Sequence, residues 1–247
     1  MVRLSWEAKL GLFLVALTVV VYAAKFCVLG DAENTYYYVF NALGFLPLNV
    51  LLVTLILNHL LTVRAKRERL EKMNMVIGTF FSEVGTALLI RLSDRDPDLD
   101  MVRQDLIVGN NWSAEDFARV RARLETYAWS AAVDPDELVV LRSFLLEKRD
   151  FLLRLLENPV LLEHETFTGV LRAAFHLADE LERREDLAAT PPADRKHLAG
   201  DVNRVYGLLV AQWLDYMQYL KNNYPYLFSL AMRTNPFDET ASPVVRE

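Results

Sequence analysis

The sequence predicts an all-α protein in which an N-terminal transmembrane helical hairpin continues into a cytoplasmic helical bundle. Three observations predict this class: two long apolar runs near the start, apolar residues at three- and four-residue steps through the rest of the chain, and helix-capping residues between the periodic segments. No run of alternating β-branched residues lies between hairpin turns, so we expect no sheet.

The predicted membrane hairpin occupies residues 1–63, with spans at about 10–29 and 36–63. The first run is twenty residues long, or about 30 Å of helix, and its one charge, Lys25, lies near the end, where the ammonium reaches the headgroups. The second run contains no Asp, Glu, Lys or Arg, and we expect a kink at Pro47. The predicted partner of both runs is the lipid bilayer.

The charges that flank the two runs predict their orientation. The short connection between the runs contains Asp31 and Glu33 but no cation. Because cations concentrate on the cytoplasmic side of membrane proteins, we expect both termini in the cytoplasm. The cations that follow the second run are Arg64, Lys66, Arg67, Arg69 and Lys72.

Residues 64–92 are predicted to continue the second span as one membrane-proximal helix. Apolar side chains recur along it as they do in a coiled-coil seam. Two interpretations stay open, because such a seam forms either by self-association into a homo-oligomer or by packing against the rest of the same chain. The seam residues are Leu70, Met73, Ile77, Phe80, Phe81, Val84 and Leu88.

Capping residues divide the predicted cytoplasmic bundle, residues 93–247, into four long helices. Ser113 with Asp116 forms a capping box, and Asp134 precedes a proline at the first helical position, as does Asn158. The predicted helices span about 113–132, 134–157, 159–186 and 193–221.

Composition and motifs limit the function classes. The net charge of −6 excludes a general nucleic-acid binder, so no nucleic-acid partner is expected. The single cysteine, Cys27, excludes a disulfide framework and a cysteine-rich zinc module. Because no glycine-rich phosphate loop, nucleophile elbow or HExxH motif is present, we assign no catalytic residue and favour a non-enzymatic function.

Histidine and carboxylate residues on the last two long helices predict a metal site. His176 with Glu180 and His197 with Asp201 are each four residues apart, which directs both side chains of a pair toward one point. Bundle proteins hold iron, manganese or zinc with such ligands from facing helices. The predicted ligands are His176, Glu180, His197 and Asp201, with Asp194, Glu163, His164 and Glu165 as further candidates.

Two arguments oppose this metal site. On an ideal helix His176 projects roughly 160° away from the centre of the apolar stripe of its helix. Salt bridges also explain the same acidic residues without a metal ion. The arginines available for them are Arg172, Arg183, Arg184, Arg195 and Arg204.

The segments MNMVIGTFFSEVGT (73–86), FHLADEL (175–181) and YPYLFSLAMRTNPF (224–237) resemble a group of uncharacterised bacterial membrane proteins. The resemblance covers most of the chain and implies two spans followed by a soluble helical region. It also implies a location in the bacterial inner membrane, and it transfers no catalytic residue.

These observations leave two functions open. The first is a homo-oligomeric membrane assembly whose cytoplasmic bundle acts as a scaffold or sensor, with other membrane proteins as further partners; a pore or transport role would require several subunits. The alternative is a membrane-anchored metalloprotein, either an oxidoreductase or a hydrolase, whose site lies between the last two long helices.

Overall fold

The computed structural model describes residues 6–162 and 164–245, and within them every regular element is helical. The prediction of an all-α protein is therefore confirmed. The α-helices are α1 (Trp6–Leu29), α2 (Ala32–Phe80), α3 (Thr86–Ser93), α4 (Asp100–Arg103), α5 (Ala114–Glu125), α6 (Pro135–Glu147), α7 (Arg149–Leu156), α8 (Pro159–Leu162), α9 (Glu165–Glu182), α10 (Pro192–Asn223) and α11 (Pro225–Arg233).

The chain divides into two compact units, Met1–Lys66 and Arg67–Glu247. The first unit contains α1 and the first part of α2. Gly30, whose φ of 63° suits glycine, connects the two helices, and the Asp31 carboxylate accepts a hydrogen bond from the Asn34 backbone at the start of α2. Both helices are long and apolar enough to cross a membrane, and no residue of their apolar windows is buried.

The predicted single helix over residues 64–92 is interrupted. The α-helical pattern of α2 ends at Phe80 and is followed by a π-helical turn, Phe81–Gly85, before α3 begins. The Phe80 ring packs edge-on against Phe167, with centroids 5.2 Å apart, and the Phe81 ring stacks on Tyr216 at 5.3 Å. The wider turn therefore accompanies the burial of two consecutive aromatic residues.

The structure also separates the two interpretations of the apolar seam. Leu70 is 43% exposed, but the other six seam residues are buried in the core of their own chain. Packing within the chain accounts for these six side chains, so they present no seam to a second copy. The six are Met73, Ile77, Phe80, Phe81, Val84 and Leu88.

Helices α9 and α10 lie at the centre of the second unit. The two helices pack on each other, while α9 also contacts α6 and α7, and α10 also contacts α3, α5 and α11. Their buried residues recur at three- and four-residue steps, as in Phe167, Val170 and Leu171 of α9. The central pair is thus fixed on several sides by apolar contacts.

Several helix boundaries differ from the predicted ones. The capping box at Ser113 is confirmed, but α5 ends at Glu125 rather than near 132. The residues that follow are irregular because their backbone bonds to other segments: the Ala131 N–H donates to the Asn203 side chain at 2.9 Å, and the Ala132 N–H donates to a backbone carbonyl at 2.8 Å. Tertiary contacts therefore replace the last turns of the predicted helix.

Three further helix predictions were wrong. The helix predicted over 134–157 is divided at Lys148 into α6 and α7. The helix predicted from 159 is divided as well, because His164 serves as the N-terminal cap of α9. Helix α11 lies in a segment where we predicted no helix.

Candidate functional site

The short connection between α9 and α10 brings the C-terminal end of α9 beside the N-terminal end of α10. His176 and Glu180 lie one turn apart near that end of α9, and His197 and Asp201 lie one turn apart near the start of α10. The four residues meet, and we call His176, Glu180, His197 and Asp201 the histidine–carboxylate cluster.

Distances within the cluster converge on one oxygen atom, Oδ2 of Asp201. Nε2 of His176 and Nε2 of His197 each lie 3.5 Å from it. The Glu180 carboxylate completes the group, with Oε1 3.9 Å from His176 Nε2 and Oε2 3.8 Å from His197 Nε2. These separations are longer than ordinary hydrogen bonds, so the four side chains are close neighbours without good hydrogen bonds between them.

Asp201 is the buried member of the cluster. Only 3% of the residue is exposed, and its Oδ2 atom is buried with no hydrogen-bond donor among the described residues. The other oxygen, Oδ1, lies 3.1 Å from Nη1 of Arg204. A buried acceptor without a donor costs about 1–3 kcal/mol, so the Oδ2 atom is an unsatisfied polar position inside the fold.

Arg184 holds two carboxylates beside the cluster. Its Nη1 donates to Glu180 Oε2 at 2.7 Å, while its Nε and Nη2 donate to the two oxygens of Asp194 at 2.8 and 2.7 Å. The hydrogen bonds from Arg184 lower the pKa of Glu180 and the pKa of Asp194. Asp194, a further predicted ligand, is therefore occupied by Arg184, and it also interacts electrostatically with His197.

The two histidines of the cluster reach it from the surface. The His176 side chain is 47% exposed and the His197 side chain 55% exposed. The predicted outward direction of His176 is thus consistent with its exposure, yet its ring still reaches the buried carboxylate of the neighbouring helix.

The remaining predicted ligands lie elsewhere. His164 and Glu165 stand at the opposite end of α9, about 18 Å along the helix from His176. The His164 Nδ1 atom accepts the backbone N–H of Phe167 at 3.2 Å and lies 2.9 Å from the Thr166 hydroxyl. Glu163 lies outside the described residues.

Among residues 6–162 and 164–245, no group of three or more His, Cys, Asp or Glu side chains is found that could hold a metal ion. The cluster is thus a convergence of ligand types rather than a formed coordination shell. What the sequence did not single out is which arginine holds which carboxylate. The signal was available, because Arg184 follows Glu180 by four residues and Arg204 follows Asp201 by three.

The structure thus defines an all-helical protein with two long apolar helices near its start and a helical unit that contains the cluster. The chain belongs to the MJ1433 family. The model described as "MJ1433, N-terminal helical domain" matches residues 2–61, and the model described as "Uncharacterized protein MJ1433, C-terminal helical domain" matches residues 69–233.

One relative is the uncharacterized protein MJ1433 of Methanocaldococcus jannaschii, which is 43% identical over 229 residues, covering 93% of this chain and 92% of the relative. That organism is an archaeon, so the expected bacterial group and bacterial inner membrane have no support. No solved structure matches the chain.

Proposed function

We propose that the protein is a membrane-anchored metalloprotein that binds a divalent transition-metal ion, of iron, manganese or zinc, at the histidine–carboxylate cluster. The observation that carries the proposal is the buried Oδ2 atom of Asp201, which has no donor among the described residues and lies 3.5 Å from the Nε2 atom of each cluster histidine. Neutral imidazole and ionised carboxylate are common ligands of these metals.

Salt bridges alone leave this atom unexplained. Arg184 accounts for Glu180 and Asp194, and Arg204 accounts for the Oδ1 atom of Asp201. Three carboxylates thus face two guanidinium groups. A divalent cation would offset the remaining negative charge and supply the missing partner of Oδ2.

The proposal needs only small movements. Because both imidazoles are about half exposed, their rotation toward a shared ion would not require the core to move. Asp201 is already fixed by burial, so the rigid ligand stands on the core side and the adjustable ligands stand on the solvent side.

The membrane-anchoring part of the proposal rests on the two apolar helices. No residue in the apolar windows of these helices is buried, so without a bilayer they would leave a large apolar surface in water. With the acidic connection at Asp31 and Glu33 and the cations after residue 63, the positive-inside rule places both termini in the cytoplasm.

Labelling of introduced cysteines tests this topology. In a Cys27→Ala background, an impermeant thiol reagent added to whole cells should label Glu33→Cys but not Asp238→Cys until the membrane is opened. The reverse pattern would invert the proposed orientation, and labelling of both positions in intact cells would contradict a two-span hairpin.

A homo-oligomeric scaffold, or a pore built from several subunits, is the second candidate function. Six of the seven seam residues that suggested self-association are buried in the core of their own chain. Exposed surface remains on the apolar helices, so self-association through the spans would be independent of the seam.

Metal analysis tests the metal-binding part. The full chain, purified in detergent without a chelator or a histidine tag, should carry up to about one equivalent of a transition metal, or take it up on addition of zinc, manganese or ferrous iron. The His197→Ala variant should lose it and the His164→Ala variant should keep it. A wild-type chain that neither carries nor takes up any of the three metals would overturn the proposal.

A further inference from the structure

In the first unit, one side of α2 faces α1. An open depression lies between the two helices and is lined by residues of both. On an ideal helix Ala42 and Leu46, two of its α2 residues, project within roughly 40° of each other, so they mark the inner side of α2. The opposite side of α2 therefore faces away from α1.

A second open depression lies on α2 itself. On an ideal helix the mean direction of its lining residues is roughly 150–170° from that of Ala42 and Leu46, so the second depression opens away from α1. Gly44 forms part of it, and a Cβ added to Gly44 would meet no atom within 4 Å. The chain thus leaves open space on the outer side of α2. The lining residues are Phe40, Asn41, Leu43, Gly44 and Phe45.

The second depression belongs to a continuous face of α2. From Asn41 onward, residues at alternating steps of four and three lie on one side of the helix, and this is the spacing by which helices of a coiled coil contact each other. Every residue at these steps as far as His59 is exposed. We call this surface the outer face of α2; its members are Asn41, Phe45, Leu48, Leu52, Leu55 and His59.

Asn41 is the member of the outer face that most needs a partner. Its side chain is exposed, and its amide forms no hydrogen bond with the described residues. The Thr18 and Thr62 hydroxyls, by contrast, donate to carbonyl oxygens of their own helices at 2.9 and 2.7 Å. Within the apolar part of a bilayer an unpaired amide is costly, and lipid chains offer it no hydrogen-bonding group. The outer face therefore favours a protein partner that carries a polar group at the same depth.

Resting on the membrane anchoring proposed above, we propose that the outer face of α2 binds the same face of a second copy of this chain and so forms a parallel dimer. Both copies cross the bilayer in the same direction, so each residue of the face meets its equivalent across a two-fold axis. Because a side-chain amide both donates and accepts, two Asn41 residues satisfy each other. Gly44 lets the two backbones approach closely. The dimer does not require metal binding at the histidine–carboxylate cluster.

Disulfide cross-linking in membranes tests which side of α2 is paired. In a Cys27→Ala background, Leu48→Cys changes the outer face and Leu46→Cys changes the inner side, so the same substitution is made two residues apart. With copper phenanthroline as the oxidant, we expect Leu48→Cys to form disulfide-linked dimers and Leu46→Cys to remain largely monomeric. Equal cross-linking of the two variants, or cross-linking of Leu46→Cys alone, would overturn the proposed face.

Glycine and asparagine variants test the contacts. Gly44→Leu and Gly11→Leu each add a side chain where the single chain has open space, but Gly44 lines the second depression, whereas Gly11 lies on α1. Gly44→Leu should therefore weaken dimerisation in lipid vesicles, and Gly11→Leu should leave it unchanged.

Asn41→Leu should weaken dimerisation by about 3- to 30-fold through loss of the amide pair. Asn49→Leu is its control, because Asn49 projects roughly 80° from Asn41 toward the inner side, and it should have no effect. Energy transfer between labelled chains at increasing dilution in lipid measures the affinities, and circular dichroism checks that each variant is folded.

The outcomes separate the dimer from the proposed function. A chain that stays monomeric in vesicles, with no cross-link in Leu48→Cys, would overturn the dimer, leave the outer face to lipid, and leave metal binding and topology unaffected. Dimerisation that neither Gly44→Leu nor Asn41→Leu weakens would overturn the outer face as the contact. Failure of the topology labelling would overturn the membrane anchoring and the dimer that rests on it.

Discussion

At one end of the α9–α10 pair a histidine caps the start of a helix. At the other end two histidines lie beside a buried carboxylate without a good hydrogen bond to it. His164 accepts the backbone N–H of Phe167 and so satisfies one of the free donors at the start of α9. His176 and His197 lie 3.5 Å from Asp201 Oδ2, too far for a good hydrogen bond.

The same residue type thus caps a helix at one end, whereas at the other end it lies beside a buried carboxylate oxygen that has no hydrogen-bond donor among the described residues. The Nδ1 atom of His164 already accepts a backbone hydrogen bond, so no ligand is needed to explain that residue. At the cluster end Arg204 pairs with the Oδ1 atom of Asp201, but the buried Oδ2 atom has no donor among the described residues, which is costly unless a ligand supplies one.

The largest effect is expected from Asp201→Asn. Loss of the central ligand should weaken zinc binding by more than about 100-fold. The metal-free variant should unfold with an unchanged or higher free energy of unfolding, because an unpaired buried oxygen has been replaced by a neutral amide. Zinc competition with a chelator and urea unfolding measure the two quantities. A variant that loses stability yet keeps its zinc would contradict the ligand role of Asp201.

Zinc itself should stabilise the wild-type helical unit. At a free zinc concentration 100 times the Kd, the free energy of unfolding should rise by about 2.7 kcal/mol, because the ion binds only the folded state. Thermal unfolding with and without EDTA checks this, with Asp201→Asn as the matched control. The same shift in that variant would show that zinc acts elsewhere on the chain.

Histidine variants should show different effects at the two ends of the α9–α10 pair. His164→Ala removes a helix cap and should lower the free energy of unfolding by about 1 kcal/mol while zinc binding stays as in the wild type. His176→Ala and His197→Ala, whose side chains are half exposed, should change metal-free stability by less than about 0.5 kcal/mol but lose zinc. Denaturant unfolding in EDTA, followed by zinc titration, measures both; equal zinc affinity in all three variants would remove the distinction.

The smallest effect concerns acid stability in the absence of metal. Arg184 holds the pKa of Asp194 below its usual 3.8 and that of Glu180 below its usual 4.5. Because a lowered folded-state pKa stabilises the charged form, this contribution is complete above about pH 4.5 and is lost as the pH falls through the lowered values. Urea midpoints from pH 7 to pH 2 should therefore decline less in Arg184→Gln than in the wild type; parallel curves would contradict it.

The cluster could be found from the sequence because its signal is local. His176 and Glu180 are four residues apart, as are His197 and Asp201, and helix geometry alone places each pair on one face. That α9 and α10 would bring the pairs together followed from the short connection between the helices. The burial of Asp201 also followed from the apolar stripe of its helix, whose next member is Val202.

The parts that were missed depend on distant partners. Periodicity indicated that Phe80 and Val84 need an apolar neighbour, but it gives the same signal whether that neighbour is a second copy or the chain's own core. Likewise, the end of α5 depends on Asn203, which lies 72 residues after the Ala131 backbone that it binds. No capping pattern near residue 125 contains that information.

The π-helical turn connects the two central helices of the second unit through its aromatic contacts. Phe80 rests on Phe167 of α9, and the next residue, Phe81, rests on Tyr216 of α10, so one turn of chain touches both members of the pair. Gly85 leaves the space that both rings fill, since a Cβ there would stand 2.8 Å from the Phe80 ring and 2.6 Å from the Phe81 ring. A displacement of this turn would therefore be transmitted to α9 and α10 together.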